Sequence, residues 1–107
     1  MPDESRLATL KQILEANPDD AFARYALGLE YSGCGQTDAP VAEFQRLLAA
    51  HPDYTNAYFM AAQTLARAER NEDACSMLRQ GIECARRTRN RHAQAEMEGM
   101  LDELERA

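Results

Sequence analysis

Apolar side chains recur every three or four residues along almost the whole 107-residue chain. This spacing places them on one face of an α-helix, and no segment shows the strict alternation of a half-buried strand. The stripes are Leu7, Leu10, Ile13 and Leu14; Leu27 and Tyr31; Val41, Phe44, Leu47 and Leu48; Ala61 and Leu65; Ala74, Leu78 and Ile82; and Met97, Leu101 and Leu104. The pattern predicts an all-α protein.

Short polar segments separate the stripes and carry the signals of helix ends. Capping residues, prolines and acids typical of helix starts occur at 17–20, 37–40, 51–54 and 71–73. In the first of these, Asn17 is the predicted cap and Pro18 the predicted first-turn residue. Gly33, Gly35 and segment 87–91 interrupt the pattern. We predict about six helices, over 3–16, 19–33, 38–50, 53–69, 72–87 and 90–106, whose short connections make neighbours antiparallel.

The chain also repeats itself with an offset of 34 residues. This single offset aligns Leu10 with Phe44 and Leu78, and Gly28 with Ala62. A two-helix unit of this length cannot bury its apolar stripe alone, so copies stack side by side. Small residues such as Gly28 let neighbouring helices approach closely.

The repeating unit resembles the tetratricopeptide repeat, a 34-residue helix–turn–helix pattern. In the first copy the matching residues are Leu27, Gly28, Tyr31, Gly35, Phe44 and Pro52, whereas Arg24 and Pro40 depart from the pattern. In the second copy Tyr58, Ala61, Ala62 and Ala74 fit, whereas Leu78 and Arg86 depart from it. The resemblance covers about residues 21 to 86 as two full repeats.

This resemblance implies antiparallel helix–turn–helix repeats stacked as a short right-handed superhelix, an α-solenoid. We expect one domain over 1–107, made of a degenerate half repeat (3–20), repeat 1 (21–54), repeat 2 (55–88) and a capping helix (89–107). Two repeats are fewer than the three or so that a stable array usually needs. The flanking helices or a dimer contact must therefore supply the missing burial.

The resemblance also implies a non-catalytic protein-interaction module that binds a partner peptide or helix on its concave face. The expected groove residues are Phe22, Tyr25, Leu29, Ser32, Asn56, Phe59, Gln63 and Arg67. Two interpretations of Tyr25 and Phe59 stay open: they pack against adjacent helices, or they are exposed together as a patch. A chaperone-tail specificity, which uses groove lysines and asparagines in one subgroup, is disfavoured because the only lysine, Lys11, lies outside the repeats.

The net charge and its distribution along the chain indicate which classes of partner are disfavoured. A net charge of −6 disfavours nucleic acid and anionic membranes. Against this background, the local cluster of Arg86, Arg87, Arg89 and Arg91, with Arg79 nearby, is a candidate anion patch. The alternative is structural: Arg86 and Arg87 lie at a helix's negative end, and acids of the last helix neutralise the rest. Those acids are Glu96, Glu98, Asp102, Glu103 and Glu105.

No residue pattern indicates catalysis, a metal or a cofactor. Cys34, Cys75 and Cys84 form no C-x-x-C motif, so we expect reduced thiols in the cytoplasm, with Cys75 and Cys84 as packing residues. His51 and His92 have no partner at ligand spacing, and we expect both to be solvated. "MPDESRLATLKQ" has no signal-peptide core, and no stretch is long enough to span a membrane.

Three alternatives to a partner-binding monomer remain. One is a homodimer formed through apolar end faces, and another is an adaptor that binds nucleic acid through the arginine cluster. The weakest is an enzyme, because the sequence offers no nucleophile and base pair, metal set or cofactor loop. The expected end faces consist of Leu7, Leu10 and Ile13 at one end and of Met97, Met100 and Leu104 at the other.

Overall fold

The computed structural model describes residues 3–107, which form six helices and no strand. The helices are α1 (Glu4–Ala16), α2 (Ala21–Ser32), α3 (Asp38–Ala50), α4 (Thr55–Arg67), α5 (Asn71–Arg87) and α6 (Arg91–Arg106). Each end lies within two residues of its predicted position. The all-α prediction is therefore confirmed. None of the helices in this part of the chain has the length and apolarity that a lipid bilayer requires.

The turn between α1 and α2 differs from its prediction. Asn17 ends α1, because its N–H donates to the carbonyl of Ile13 at 2.8 Å. Asp20 is the true cap of α2, since its side chain accepts the N–H of Ala23 at 2.9 Å. Pro18 therefore lies in the connection between α1 and α2 and not in the first helical turn of α2. A carboxylate satisfies an unpaired N–H there as well as an amide does.

The helices form two layers. Each helix packs against the next one along the chain, and α2 also contacts α4, which in turn contacts α6. Helices α2, α4 and α6 thus form one continuous layer, while α3 and α5 lie on the other side. This is the predicted stack of helix–turn–helix units, and it gives α2 and α4 a shared face.

Two apolar clusters hold the stack together. The larger one centres on Phe44, Leu78 and Met97 and joins α2 through α6. The smaller one fixes α1 to α2 through Leu7, Leu10, Leu14, Ala23 and Leu27. Helices α1 and α6 therefore supply the burial that two repeats alone lack.

The expected dimer end faces are wrong for three of their six residues. Leu7 and Leu10 are buried because the apolar stripe of α1 lies on α2, and Met97 is only 1% exposed. Ile13, at 39% exposed, is the residue at the α1 end that stays open. The apolar surface offered for a dimer is correspondingly small.

Two glycines allow close contact between neighbouring helices. A Cβ at Gly28 would lie 2.5 Å from the ring of Phe44, which confirms the predicted role of this glycine. A Cβ at Gly81 would lie 2.5 Å from the sulfur of Met97 and 2.6 Å from the Cβ of Tyr58. The sequence patterns did not single out Gly81, although α4, α5 and α6 meet there.

Arg24, which departs from the repeat pattern, forms hydrogen bonds to two other parts of the chain. Its guanidinium donates to the carboxylate of Glu43 at 2.8 Å and to the carbonyl of Pro18 at 2.8 Å. Glu43 is buried, so this ion pair is largely shielded from water. A buried carboxylate requires such a partner.

Candidate partner-binding groove

One end of the shared face of α2 and α4 is aromatic. Phe22, in the first turn of α2, is 73% exposed, the highest value among the large apolar side chains in residues 3–107. Tyr25, one turn later, is half-buried: its ring centroid lies 6.0 Å from that of Phe44 and 5.2 Å from that of Tyr54. Burial raises the pKa of both Tyr25 and Tyr54. Phe22 is thus an exposed ring one turn away from a packed aromatic group.

Phe59 is packed as well. It is half-buried against the larger apolar cluster and shares a small crevice with Asn56, Ala93 and Met97. Helix α6 therefore covers part of this ring. Because Tyr25 and Phe59 both pack against neighbours, the interpretation that they pack is confirmed, and the one in which they form a fully exposed patch is wrong.

The middle of the face is mixed in character. Leu29 is half-buried and packs against the larger cluster, and Gln63 on α4 is half-buried too. Asn56 is exposed. Here the face changes from aromatic to polar along the direction of α2 and α4.

The other end of the face is a polar pocket where α2 and α4 end. Ser32, expected as a groove-lining residue, is only 3% exposed, because its hydroxyl lies 2.9 Å from that of Thr64. Arg67 is exposed and donates to the oxygen of Ser32 at 2.6 Å. A cavity of about 330 Å³ lies beside these three residues.

The arginine cluster is partly neutralised. Its four predicted members are Arg86, Arg87, Arg89 and Arg91. Arg86 donates to Glu83 at 2.7 Å, and Arg87 is hydrogen-bonded to Asp53, which raises the pKa of Arg87. The other two arginines have no acidic partner within residues 3–107. An anion patch stays a prediction, now with two unpaired arginines.

The acids of α6 neutralise this cluster less than predicted. Arg79 pairs with Glu105 at 2.7 Å, which confirms the expectation at one position. Arg89, which has a left-handed φ of 60°, and Arg91 are exposed and form no ion pair with those carboxylates.

The cysteines and histidines have structural surroundings. Cys75 and Cys84 are buried, as predicted, and all three thiols are free. The Nε2 atom of His51 lies 2.7 Å from the carbonyl of Asp19 in an exposed contact, so this histidine bridges two turns while it stays partly open to solvent. Among the described residues, no three His, Cys, Asp or Glu side chains come together as a metal site would require.

Tyr54 and Thr64 contribute to the face but were not predicted. Tyr54 precedes α4 and completes the aromatic group around Tyr25. Thr64 pairs with Ser32, which lies 32 residues earlier in the chain. The 34-residue offset aligns neither Tyr25 with Tyr54 nor Ser32 with Thr64. The repeat in the sequence therefore gives no sign of these two contacts.

No protein-family model matches the sequence, and no curated protein does either. Solved structures do match. The chain is 30% identical to a tetratricopeptide repeat domain protein from Salinibacter ruber in its solution NMR structure, with a TM-score of 0.76 over 83% of this chain and 90% of that one. The crystal structure of a tetratricopeptide repeat domain protein from the same organism gives 30% identity and a TM-score of 0.72 over 80% of this chain and 97% of that one.

A third similar structure is the solution structure of a protein from Bordetella parapertussis. It is 23% identical, with a TM-score of 0.82 over 99% of this chain and 90% of that one. The similarity shows that the fold is shared along nearly the whole chain, including α1 and α6.

Proposed function

Because this chain belongs to the tetratricopeptide repeat family, whose fold generally mediates protein–protein interaction, we propose that it binds a partner segment along the shared face of α2 and α4. Proteins with this fold are generally non-catalytic, and we propose the same role here. The proposed binding residues are Phe22, Tyr25, Leu29, Asn56, Phe59, Gln63 and Arg67. They define what we call the groove.

The exposure of Phe22 is the observation that carries this proposal. A phenylalanine that is 73% exposed leaves most of its ring in water, although Tyr25, one turn away, is packed. Burying such a ring contributes about 1.5–3 kcal/mol, which a partner would gain on binding. A single exposed ring beside half-buried aromatic neighbours is the form that a binding anchor takes.

The half-buried residues have a different part in the proposal. Tyr25 and Phe59 pack against the protein's own core, so they shape the floor of the groove and do not project from it. Replacing both by alanine would remove core contacts and confuse a loss of binding with a loss of packing. Phe22 allows a cleaner test.

The test compares Phe22→Ala with Ile13→Ala, a variant that removes the other exposed large apolar side chain, on α1 and outside the groove. Both variants should melt like the wild type by circular dichroism. We expect partners captured from native lysate by the wild type to be retained by Ile13→Ala and lost by Phe22→Ala. With a purified partner, the affinity should fall about 10- to 100-fold for Phe22→Ala.

Equal capture by all three proteins would contradict the groove proposal. So would a loss of affinity shared equally by the Ile13 variant, since that would indicate a general surface effect. Capture of nothing by the wild type would contradict the interaction role itself.

The proposal includes a location and excludes some partners. We propose a cytoplasmic protein on the ground that three thiols are free. We propose a protein partner and no nucleic acid or membrane, because the net charge of −6 repels both and only Arg89 and Arg91 in the arginine cluster lack an acidic partner among residues 3–107. A homodimer has less support because three of the six residues of its expected end faces are buried.

A further inference from the structure

Helix α1 is attached to the stack on one side only. Helix α3 packs between α2 and α4, and α5 packs between α4 and α6, whereas α1, within residues 3–107, packs on α2 alone. The apolar stripe of α1 forms a cluster with Ala23 and Leu27 that is separate from the larger apolar cluster. Releasing α1 from α2 would therefore leave the packing of α2 to α6 in place.

A cleft separates α1 from α3 on the outer side of the stack. It holds about 400 Å³, is open to solvent, and is lined by Leu14 of α1, Leu27 of α2 and Glu43 of α3. The two helices do not come close enough for their backbones to contact each other. Helix α3 therefore gives α1 no support from this side.

Polar contacts fasten the first turn of α1 to α2. The N–H of Asp3 donates to the carboxylate of Glu30 at 2.8 Å, and the guanidinium of Arg6 donates to the same carboxylate at 3.0 Å. The side chain of Arg6 is 62% exposed, so water screens this ion pair and the pair adds little to the attachment. It does give the contact a charge pattern, with a cation on α1 and an anion on α2.

The connection between α1 and α2 is held to the rest of the protein from Pro18 onwards. Arg24 donates to the carbonyl of Pro18 at 2.8 Å, and Nε2 of His51 lies 2.7 Å from the carbonyl of Asp19. Asn17 precedes these anchors and has non-helical backbone angles (φ −144°, ψ 88°), because a following proline disfavours the helical ones. Rotation at Asn17 can therefore release α1 without disturbing α2. Since Pro18 cannot continue a helix, the released α1 does not merge with α2.

From these observations we propose that the face of α2 beneath α1 binds the α1 of a second copy, so that two copies exchange α1 and form a reciprocal dimer. Each α1 then makes the same apolar and polar contacts as in the single chain, but on the other copy. We call this assembly the exchanged dimer. It differs from the end-face homodimer, because it uses the buried side of α1 and not an exposed face.

The exchanged dimer is independent of the proposed groove. The α2 residues that α1 covers are Ala23 and Leu27, whereas the groove residues Phe22, Tyr25 and Leu29 lie on other sides of the same helix. Each copy therefore keeps its groove in the exchanged dimer. A failure of the groove proposal would leave this one untouched, and the reverse also holds.

The length of the connection limits how the two copies meet. Residues 17–20 reach at most about 14 Å when extended, so the two α2 helices of an exchanged dimer must begin near each other. The end of the stack that carries the connection therefore faces its counterpart. Ile13, in the last turn of α1, is 39% exposed at this end and lies outside the groove. We expect the second copy to cover it.

Isotope-filtered NMR tests the exchange on the unaltered chain. Isotope-labelled and unlabelled protein are mixed at millimolar concentration and warmed to just below the melting transition, so that α1 can release and rebind. We expect a dimer in light scattering, and NOEs between the α1 leucine methyls of labelled chains and the Ala23 methyl of unlabelled chains. A protein that stays monomeric under these conditions refutes the proposal, and so does a dimer without these NOEs.

Reversing the charges of Arg6 and Glu30 gives a second test. In Arg6→Glu and in Glu30→Arg the two charges repel each other within each chain, whereas an exchanged dimer with one copy of each restores two attractive pairs. We expect the mixture to associate about tenfold more tightly than either variant alone, because two exposed ion pairs are regained. The double variant has a matched pair within one chain, so it should dimerise no more than the wild type.

Lys11→Glu is the matched control for Arg6→Glu. It changes the charge of α1 by the same amount, but Lys11 is exposed beside the cleft between α1 and α3, and its side chain makes no hydrogen bond to Glu30. A mixture of Lys11→Glu with Glu30→Arg should therefore associate no more tightly than Glu30→Arg alone. Equal association of the two mixtures would indicate general charge attraction and would overturn the exchange. Circular dichroism checks that each variant is folded, and the experiment on the unaltered chain needs no variant.

Discussion

Replacing Gly28 by alanine should separate α2 from α3 and destabilise the fold. The added Cβ would lie 2.5 Å from Cε1 of Phe44 and 2.8 Å from its Cζ, distances that real Cβ atoms do not adopt. Phe44 is completely buried, so its ring has no free space into which to move. Either the ring leaves its rotamer or the two helices move apart.

The size of the effect follows from two opposing contributions. Alanine in a helix is favoured over glycine by about 1 kcal/mol. Overpacking a dense core costs about 1–3 kcal/mol, and the upper half of this range applies because the clash involves a buried ring. We therefore expect Gly28→Ala to lower the free energy of unfolding by about 1–2 kcal/mol.

Gly99→Ala is the matched control. Gly99 also lies within a helix, α6, but a Cβ there would meet no atom within 4 Å. This variant gains the helix preference without a clash, so it should be more stable than the wild type by about 0.5–1 kcal/mol. Urea denaturation followed by circular dichroism measures both changes. A Gly28→Ala protein as stable as Gly99→Ala would refute the account of close helix contact.

A second substitution should rescue the first. The 34-residue offset aligns Gly28 with Ala62 and Phe44 with Leu78, and both members of the second pair are fully buried. Combining Gly28→Ala with Phe44→Leu therefore gives the first repeat the residue pair of the second. The double variant should be more stable than the two single effects predict, by about 1 kcal/mol or more. Additive effects would show that the two residues do not interact as the structure indicates.

Two further predictions concern a strained turn and a charged contact. Glu69 has a left-handed φ of 61° at the position that aligns with Gly35, whose φ is 78°. Because glycine adopts this conformation without strain, Glu69→Gly should raise the free energy of unfolding by about 0.5–1 kcal/mol in the same urea assay. A lower free energy of unfolding would contradict this prediction. Hydrogen bonds from the N–H of Asp3 and then from the guanidinium of Arg6 lower the pKa of Glu30 in the folded protein. The contact therefore stabilises the packing of α1 on α2 fully at any pH above the pKa of Glu30 in the unfolded chain. This stabilisation is lost as the pH falls through the lower pKa of the folded protein. The protection factors of the α1 amides against hydrogen exchange should therefore fall below about pH 4 in the wild type, whereas Glu30→Gln should show low α1 protection with no such pH dependence.

The sequence predicts the fold well because the fold depends on short-range periodicity. The 3–4 residue spacing gives the helices, and the 34-residue offset gives their stacking. The role of Gly28 follows from its alignment with Ala62, since both are small residues at one repeat position. Gly81 was missed because its neighbours Tyr58 and Met97 come from two other helices, and their closeness exists only in the folded stack.

The sequence predicts which side of α2 carries the proposed groove residues, but not how exposed each of them is. Helical spacing places Phe22, Tyr25 and Leu29 on one side of α2, and this is a local property. How much of each ring is exposed depends on residues far away in sequence: Phe44 and Tyr54 cover Tyr25. Exposure is the quantity that decides binding, and it follows from packing between repeats.

Arg24 and Arg67 illustrate how partners decide the role of a side chain. Arg24 is bonded to the buried carboxylate of Glu43, 19 residues away, which also accepts from Arg46 at 2.8 Å, so removing the Arg24 guanidinium would take away one of the two partners of a buried charge. Arg67 is bonded to the buried hydroxyl of Ser32, 35 residues away. The first arginine is therefore held by a buried charge, whereas the second is held by a neutral hydroxyl. Both are single arginines on the inner layer of helices, and partners far away in sequence decide whether the side chain is held by a charge or by a neutral group.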